Sequence, residues 1–324
     1  MYKKNKHSPV IFSGFRHKNL LDFGFKKQEK KFLKKFKKDA KKDYRAYNLS
    51  KFIEISYCYA RSSLNLYSSR YSKKMYSQPA LFTIIALKTY FNTTYREIVD
   101  FVELSDSLKQ YLHIKKAPNY STLQKFFKKM STGMFEKITK QIMSNLDLDV
   151  KIVAMDGSGF TSDYADKYYA KIRGNERKGY TKCHIAIDVE SGIILHSQAS
   201  KGPKHDINFA IPSARAIKKY HPDYILADKA YDVEKFRNCI NKEINAKEQI
   251  PLKKNFAHGW FRRLSIKSFK KEIYSQRSQV ERVFSVIKRL LSGINRSRSV
   301  RLQNKETRLK TTIYNIIQFI KISS

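Results

Sequence analysis

Lys151-Ile-Val-Ala-Met-Asp156-Gly-Ser-Gly159 is the stretch on which the reading of the fold turns. Upstream of it apolar residues recur at helical spacing. At Ile152 they run together as far as Met155, the pattern of a short buried strand, and Asp156 with its glycines ends the run. Tyr180–Asp188 and Gly192–Ala199 then read as two strands joined by a turn at Glu190-Ser-Gly192, a hairpin. Asp206–Tyr220 follows as a helix, Tyr224–Ala227 as a short strand ending at Asp228, Val233–Asn241 as a helix and Glu248–Leu252 as a last strand. A basic, aromatic connector, Lys253–Lys271, leads on to a further helix. Such an order predicts an α/β domain, a mixed sheet flanked by helices.

That further helix carries Tyr274-Ser-Gln-Arg277-Ser-Gln-Val-Glu281-Arg-Val-Phe-Ser-Val-Ile-Lys288. Each residue of a helix advances about 100°, so Tyr274, Arg277, Glu281 and Lys288 fall within a sector roughly 60° wide. Val280, Val283, Phe284, Ile287, Leu290 and Leu291 fill a neighbouring sector. One stripe belongs to a core and the other, charged, to the core's edge. The plain alternative is a surface helix with an i,i+4 Arg277–Glu281 pair, worth only a few tenths of a kcal/mol.

Lys and Arg number 66 against 28 Asp and Glu, a formal charge of +38. An adenine- and thymine-rich codon bias would enrich Lys but also Glu, and acids are scarce, so the asymmetry points to a polyanionic partner. Nucleic acid fits best, because neutralising phosphates releases counterions. Cys58, Cys183 and Cys239 have no metal-ligand spacing and suit a reducing cytoplasm. No apolar run approaches the roughly 20 residues a bilayer requires, and no signal-peptide pattern is present. A cytoplasmic, nucleoid-associated protein is expected.

Three parts are expected: a basic arm over residues 1–70, a helical region over 71–148 and the α/β domain over 149–324. In the arm, Phe32, Phe36, Ala40 and Tyr44 recur every fourth residue, which allows a basic helix or a solvated tail. Thr94-Tyr-Arg-Glu97 and Ser121-Thr-Leu-Gln124 have the form of capping boxes. The second precedes Leu123, Phe126, Phe127 and Met130, with Lys125, Lys128 and Lys129 on the outer side. Short capped helices with a basic last member resemble a helix-turn-helix arrangement, so these lysines are candidate DNA contacts. Leu302–Ile320 reads as a closing helix.

Asp156 and Asp228 each follow a strand, where open α/β sheets place their sites, and Glu281 would approach from the packed helix. Three converging carboxylates repel one another and lose hydration. Divalent cations would neutralise them, and hard oxygen ligands suit two Mg²⁺ or Mn²⁺ ions.

Asp156 in Met-Asp-Gly-Ser-Gly, Asp228 in Ala-Asp-Lys-Ala-Tyr-Asp and the Tyr-x2-Arg-x3-Glu-x6-Lys string together resemble the DDE transposases of bacterial and archaeal insertion sequences. The branch is the one with the Tyr-Arg-Glu-Lys signature, and the likeness spans about residues 150–291. It implies an RNase H-like catalytic domain behind an all-helical DNA-binding region. It implies Asp156, Asp228 and Glu281 as the metal-binding catalytic triad, and Tyr274, Arg277 and Lys288 as contacts to terminal phosphates. It further implies metal-dependent cleavage at the ends of a mobile element, transfer of the 3′-OH ends to target DNA, and a homodimer on DNA. The rival expectations are an RNase H-like nuclease or resolvase that cuts without joining, and an inactive DNA-binding relic.

Other residues carry weaker expectations. Asp188 reads as a turn acceptor and Asp206 as an N-cap. His205 stands near enough to the crevice to touch a phosphate or water. Lys229 and Asp232 either orient substrate or sit on the surface of a βα loop. Trp260 either packs into the core from a basic loop or stacks on a base displaced from the cut end. Tyr168, Tyr169 and Arg173 have no assignable role.

Overall fold

Among the described residues the chain upstream of the sheet is helical, and side-chain caps mark where three of its helices begin. The computed structural model describes residues 49–146, 148–162, 180–202, 204–253 and 259–323. The helix considered around Phe32 to Tyr44, and Tyr168, Tyr169 and Arg173, lie outside the described residues. Helix α1 (Leu49–Ser63) falls inside the stretch read as an arm, with Phe52, Ile53, Tyr57 and Ala60 buried. It packs on α2 (Gln78–Tyr90). Helix α3 (Tyr95–Leu104) opens on the expected capping box: Thr94 Oγ1 accepts from the Glu97 N–H and the Glu97 carboxylate accepts from the Thr94 N–H. After α4 (Asp106–Tyr111), α5 (Tyr120–Lys129) opens on a different cap. Asn119, not Ser121, accepts there, from the Ser121 N–H at 2.9 Å. Asparagine is at least as good a cap as serine and stands one residue before the helix. Leu123 and Phe127 point inward, and Lys125, Lys128 and Lys129 are exposed. Helix α6 (Thr132–Ser144) leads to the sheet.

Strand β1 (Ile152–Ser162) contradicts one expectation. Asp156-Gly-Ser-Gly159 does not end it, because β2 (Tyr180–Asp188) pairs antiparallel throughout, Asp156 opposite Ile185 and Gly157 opposite His184. A continuous ladder outweighs a glycine cost of roughly 0.5–1 kcal/mol. Asp156 is therefore in mid-strand. At Gly157 a side chain could not be added, since a Cβ would stand 2.5 Å from Asp206 Oδ1 and 2.8 Å from the His184 ring. Strand β3 (Ile194–Lys201) completes the hairpin, and Asp188 accepts from the Ser191 N–H in its turn, as expected.

Helix α7 (Ile207–Ile217) crosses to β4 (Tyr224–Leu226), and α8 (Glu234–Asn238), prolonged by a π-helical segment to Ile244, crosses to β5 (Lys247–Gln249). The order is β3-β2-β1-β4-β5, with β4 and β5 parallel to β1. The expected connector is partly helical: α9 (Trp260–Ser268) starts where Glu234 accepts from the Phe261 and Arg262 N–H groups. The single helix expected from Tyr274 to Lys288 is two. Helix α10 (Lys271–Ser275) carries Tyr274, and α11 (Ser278–Leu291) carries Glu281 and Lys288, with Arg277 as its N-cap. The break is a tightened turn in which the Arg277 N–H reaches Tyr274 O at 2.9 Å. Strand β6 (Ile294–Asn295) rejoins the far end of β1, and α12 (Val300–Ile322) closes the fold on β2 and β3.

Strand alternation assigns the faces. Val153, Met155, Ala186, Ile225 and Ala227 pack towards α7 and α8. Ala154, Phe160, Cys183, Ile185 and Leu226 join the core of α11 and α12, which is continuous with that of α1 to α6. The observed fold is the expected one, an RNase H-like mixed sheet between helices, with an all-helical region packed on α12 rather than separate from it.

Candidate active site

Strand parity delivers the acids. Side chains two apart on a strand share a face, so Asp156 and Ser158 lie on the same side as Ala154 and Phe160, the side of α11. Ala154 pairs with Leu226. Asp156 and Asp228 each lie two residues beyond that last pair; β4 ends at Leu226, and Asp228 caps the 3-10 turn Lys229–Tyr231 with its backbone still extended. β4 accompanies β1 only from Ile152 to Ala154 and β6 joins at Thr161. Between those points, among the described residues, no strand covers that edge of β1. A cleft of about 580 Å³ opens there, lined by Asp156, Gly157, Ser158, Glu281, Ser285, Lys288 and Arg289 over the ring of Phe284.

Five hydrogen bonds fix the acids and their partners. Asp156 Oδ1 accepts from the Gly157 N–H at 2.7 Å, and Asp228 Oδ1 from the Ala230 N–H at 2.8 Å. Arg277 Nη1 lies 3.4 Å from Asp156 Oδ2 while its Nη2 donates to Glu281 Oε1. Lys288 Nζ donates to Ser158 Oγ at 2.7 Å. Burial pushes the Asp156 carboxyl up to about 6, and Asp228 and Asp206 add to that. The Gly157 N–H and Arg277 act in the opposite direction. The Tyr231 phenol, buried beside Asp206, Asp156 and Asp228, is raised mainly by its burial.

The sequence-predicted residues divide clearly. Asp156, Glu281 and Lys288 line one cleft, and Arg277 ties the first two together. Asp228 follows β4 and does not line that cleft, though its charge adds to the raising of the Asp156 carboxyl. Tyr274 sits on α10, its ring 5.4 Å from that of Phe269 and 5.9 Å from the Arg277 guanidinium. His205, next to Asp206, and Lys229, next to Asp228, are exposed, and neither lines the cleft. Lys125, Lys128 and Lys129 lie outside the cleft, on α5.

Two expectations fail here, and a third holds only in part. Trp260 is 69% exposed at the start of α9, not packed into the core. Its helix is held through Glu234 and through Arg262, whose guanidinium bonds Asp232, leaving the indole outside. Asp206 stands at the N-cap of α7 as expected but makes no cap bond; its carboxylate is drawn instead to Lys182 Nζ at 2.7 Å and His184 Nδ1 at 3.2 Å. Asp232 is neither a substrate group nor a surface residue. It is buried between Arg237 and Arg262 and accepts from the Lys253 N–H. Sequence reading missed Ser158, Ser285 and Arg289. The signal for each was periodicity, two residues from Asp156 on a strand and four and eight from Glu281 on a helix.

The donor types suit a hard divalent cation: the poorly solvated carboxyl of Asp156 on β1, Asp228 just beyond β4 and Glu281 on the facing helix. Among the described residues, however, no three His, Cys, Asp or Glu side chains are close enough to hold one ion together. The Arg277 guanidinium stands between Asp156 and Glu281 instead.

A mixed sheet in the order β3-β2-β1-β4-β5 between helices is the architecture of an RNase H-like domain, here with carboxylates on the face that α11 covers. A family model described as "Transposase DDE domain" matches residues 143–316. This is more than half of the chain, and the protein belongs to that family of transposases. No curated protein matches it. A solved structure similar to this chain is the piggyBac transposase synaptic complex with hairpin DNA. It is 8% identical over 84% of this chain and 72% of that one, with a TM-score of 0.45.

Proposed function

We propose that this transposase is an insertion-sequence enzyme that cuts DNA at the ends of its element and joins the freed 3′-OH ends to target DNA, with Mg²⁺ or Mn²⁺ as cofactor. The observation that carries this is the cleft: Asp156 on the sheet and Glu281 facing it from α11, Arg277 bridging the two, Lys288 bonded to Ser158 beside Asp156, and Asp228 just beyond the adjacent strand β4. Two divalent ions would supply the raised acidity of a water or 3′-hydroxyl and the neutralisation of the leaving oxygen. The chain's own residues do the rest. Asp156, Asp228 and Glu281 offer anionic oxygens, Arg277 offers a planar fork that matches a phosphate, and Lys288 offers a point charge steadied by Ser158. Tyr274, behind Arg277, is a hydrogen-bond donor or stacking surface for the terminal nucleotide.

The remaining assignments belong to the same reading. Residues 71–148 form the DNA-binding region through Lys125, Lys128 and Lys129, His205 and Lys229 flank the bound phosphates, and Trp260 stacks on a displaced base. The enzyme works as a homodimer on double-stranded DNA, pairing the two terminal inverted repeats, and resides in the cytoplasm on the nucleoid. No helix among the described residues is long and apolar enough to cross a membrane.

The test uses labelled DNA carrying the sequences that flank the gene, a target plasmid and Mg²⁺. Wild-type protein should give nicked ends and then plasmid-joined product. Glu281→Gln should bind the ends with unchanged affinity and lose cleavage by at least about a hundredfold, the scale on which single electrostatic contributors to a transition state act. Cutting without joined product would favour the nuclease reading, and binding with no nicking the relic. Wild-type cleavage by the glutamine variant would remove Glu281 from the mechanism.

A further inference from the structure

Among the described residues, the position of Arg277 between two acids is at odds with a plain phosphate contact. Its side chain is only 19% exposed, and one guanidinium edge serves two carboxylates from opposite walls of the cleft, Asp156 on β1 and Glu281 on α11. Glu281 itself is largely exposed, with 57% of its side-chain surface open to solvent. What draws it towards the sheet is this arginine. Arg277 is the N-cap of α11, so its i,i+4 pairing with Glu281 lies at the start of that helix while its other terminal nitrogen meets Asp156 on the strand.

We propose that Arg277 is a positioning residue that stands in for the cation. Without DNA it holds Asp156 and Glu281 facing each other across the cleft, and a DNA phosphate draws it away, opening the site for a divalent ion. The inference rests on the reading of Asp156 and Glu281 as ligands. The physical argument is competition. A guanidinium and a divalent ion both seek the carboxylate oxygens, so either weakens the other. A phosphate offers the same fork a bidentate partner. Metal loading is thereby coupled to the presence of DNA, and the acids are spared mutual repulsion while the site waits. Lys288 does not share the role, because its ammonium is engaged with Ser158.

Calorimetric titration of Mn²⁺ into the full chain tests this, with and without a short random-sequence DNA duplex. Without DNA, Arg277→Gln should bind Mn²⁺ roughly tenfold more tightly than wild type, the usual size of a coupling between sites. Adding duplex should tighten Mn²⁺ binding to wild type and leave the glutamine variant nearly unchanged. Arg277→Lys, which keeps a charge but not the fork, should fall between them, and it supplies the same comparison if the glutamine variant does not fold. Equal or weaker Mn²⁺ binding by the variants without DNA, or an undiminished tightening by duplex, would overturn the placeholder role. Asp156→Asn separates that failure from a deeper one: if it leaves Mn²⁺ binding to the wild-type complex intact, the ion is not at this cleft and the reading of the site falls with the proposal.

Discussion

A carboxyl held up to about 6, as that of Asp156 is, has a measurable consequence. The folded value exceeds the unfolded one, so the contribution to stability is complete below the unfolded carboxyl range near pH 4. It is lost as pH rises through about 6. Two units would correspond to about 2–3 kcal/mol. In EDTA, Asp156→Asn should therefore match wild type in urea melts near pH 4 and exceed it by about 2 kcal/mol near pH 7.5. Equal stability at both pH values would mean that the charge costs the fold nothing. The residue scale is also where the sequence was most legible. Glu281 and Lys288, read from fixed offsets in one string, and Asp156, read from its place after an apolar run, do line one cleft. Ser158 was readable in principle, from parity alone. Arg277 was named with its i,i+4 partner Glu281, but its contact with Asp156 was not legible, because it joins elements far apart in the chain.

Elements proved harder to bound than to name. Propensity placed a strand end at Gly157, where pairing with β2 carries the strand on to Ser162. It also ran one helix through Gln276, where the chain turns. The connector illustrates the limit best, because its structure is set by remote charges. Asp232 gathers Arg237 and Arg262, and Arg237 also meets Glu248 and Ile250 O, so the loop after Asp228, α8, β5 and α9 share one buried node. Burial alone would raise the Asp232 carboxyl, but the Lys253 N–H, Arg262 and Arg237 hold it below its usual range. Asp232→Asn should cost about 3–5 kcal/mol, the penalty for leaving a buried cation short of its partner. A urea melt reads the loss, and the anisotropy of Trp260 fluorescence should fall as α9 loosens. Unchanged stability would show that Glu248 alone satisfies Arg237. Trp260 gives a second test at this scale. Being 69% exposed, it can be replaced by alanine with less than about 0.5 kcal/mol change in stability. If it stacks on a base, its emission should be quenched when hairpin-ended DNA binds. Binding seen by labelled DNA with no quenching would exclude stacking.

At the scale of the whole molecule, the order of strands and helices was legible and the way the parts unite was not. Periodicity reports which residues of a helix are buried but not against what. Thus α12 read as a simple closing helix, whereas it lies between the sheet and the upstream bundle. Asn315 bonds both backbone groups of Ile194, and Lys305 Nζ reaches Lys128 O at 2.7 Å. That last contact ties α12 to the end of α5, so the exposed lysines of α5 are held at a fixed position on the catalytic domain. Charge of +38 over 324 residues predicts strong, salt-sensitive DNA binding in any arrangement. A fixed basic face predicts something narrower. Each phosphate neutralised on duplex DNA contributes about 0.9 to the slope of log K against log salt. Replacing Lys125, Lys128 and Lys129 together by alanine should lower that slope by roughly 2–3. Because none of the three lines the cleft, the same variant at low salt and saturating DNA should cut at the wild-type rate. Binding isotherms over a salt series, with single-turnover cleavage beside them, read both quantities. An unchanged slope would move the DNA path off α5, and a slowed cut at saturation would mean that α5 acts on the cleft itself.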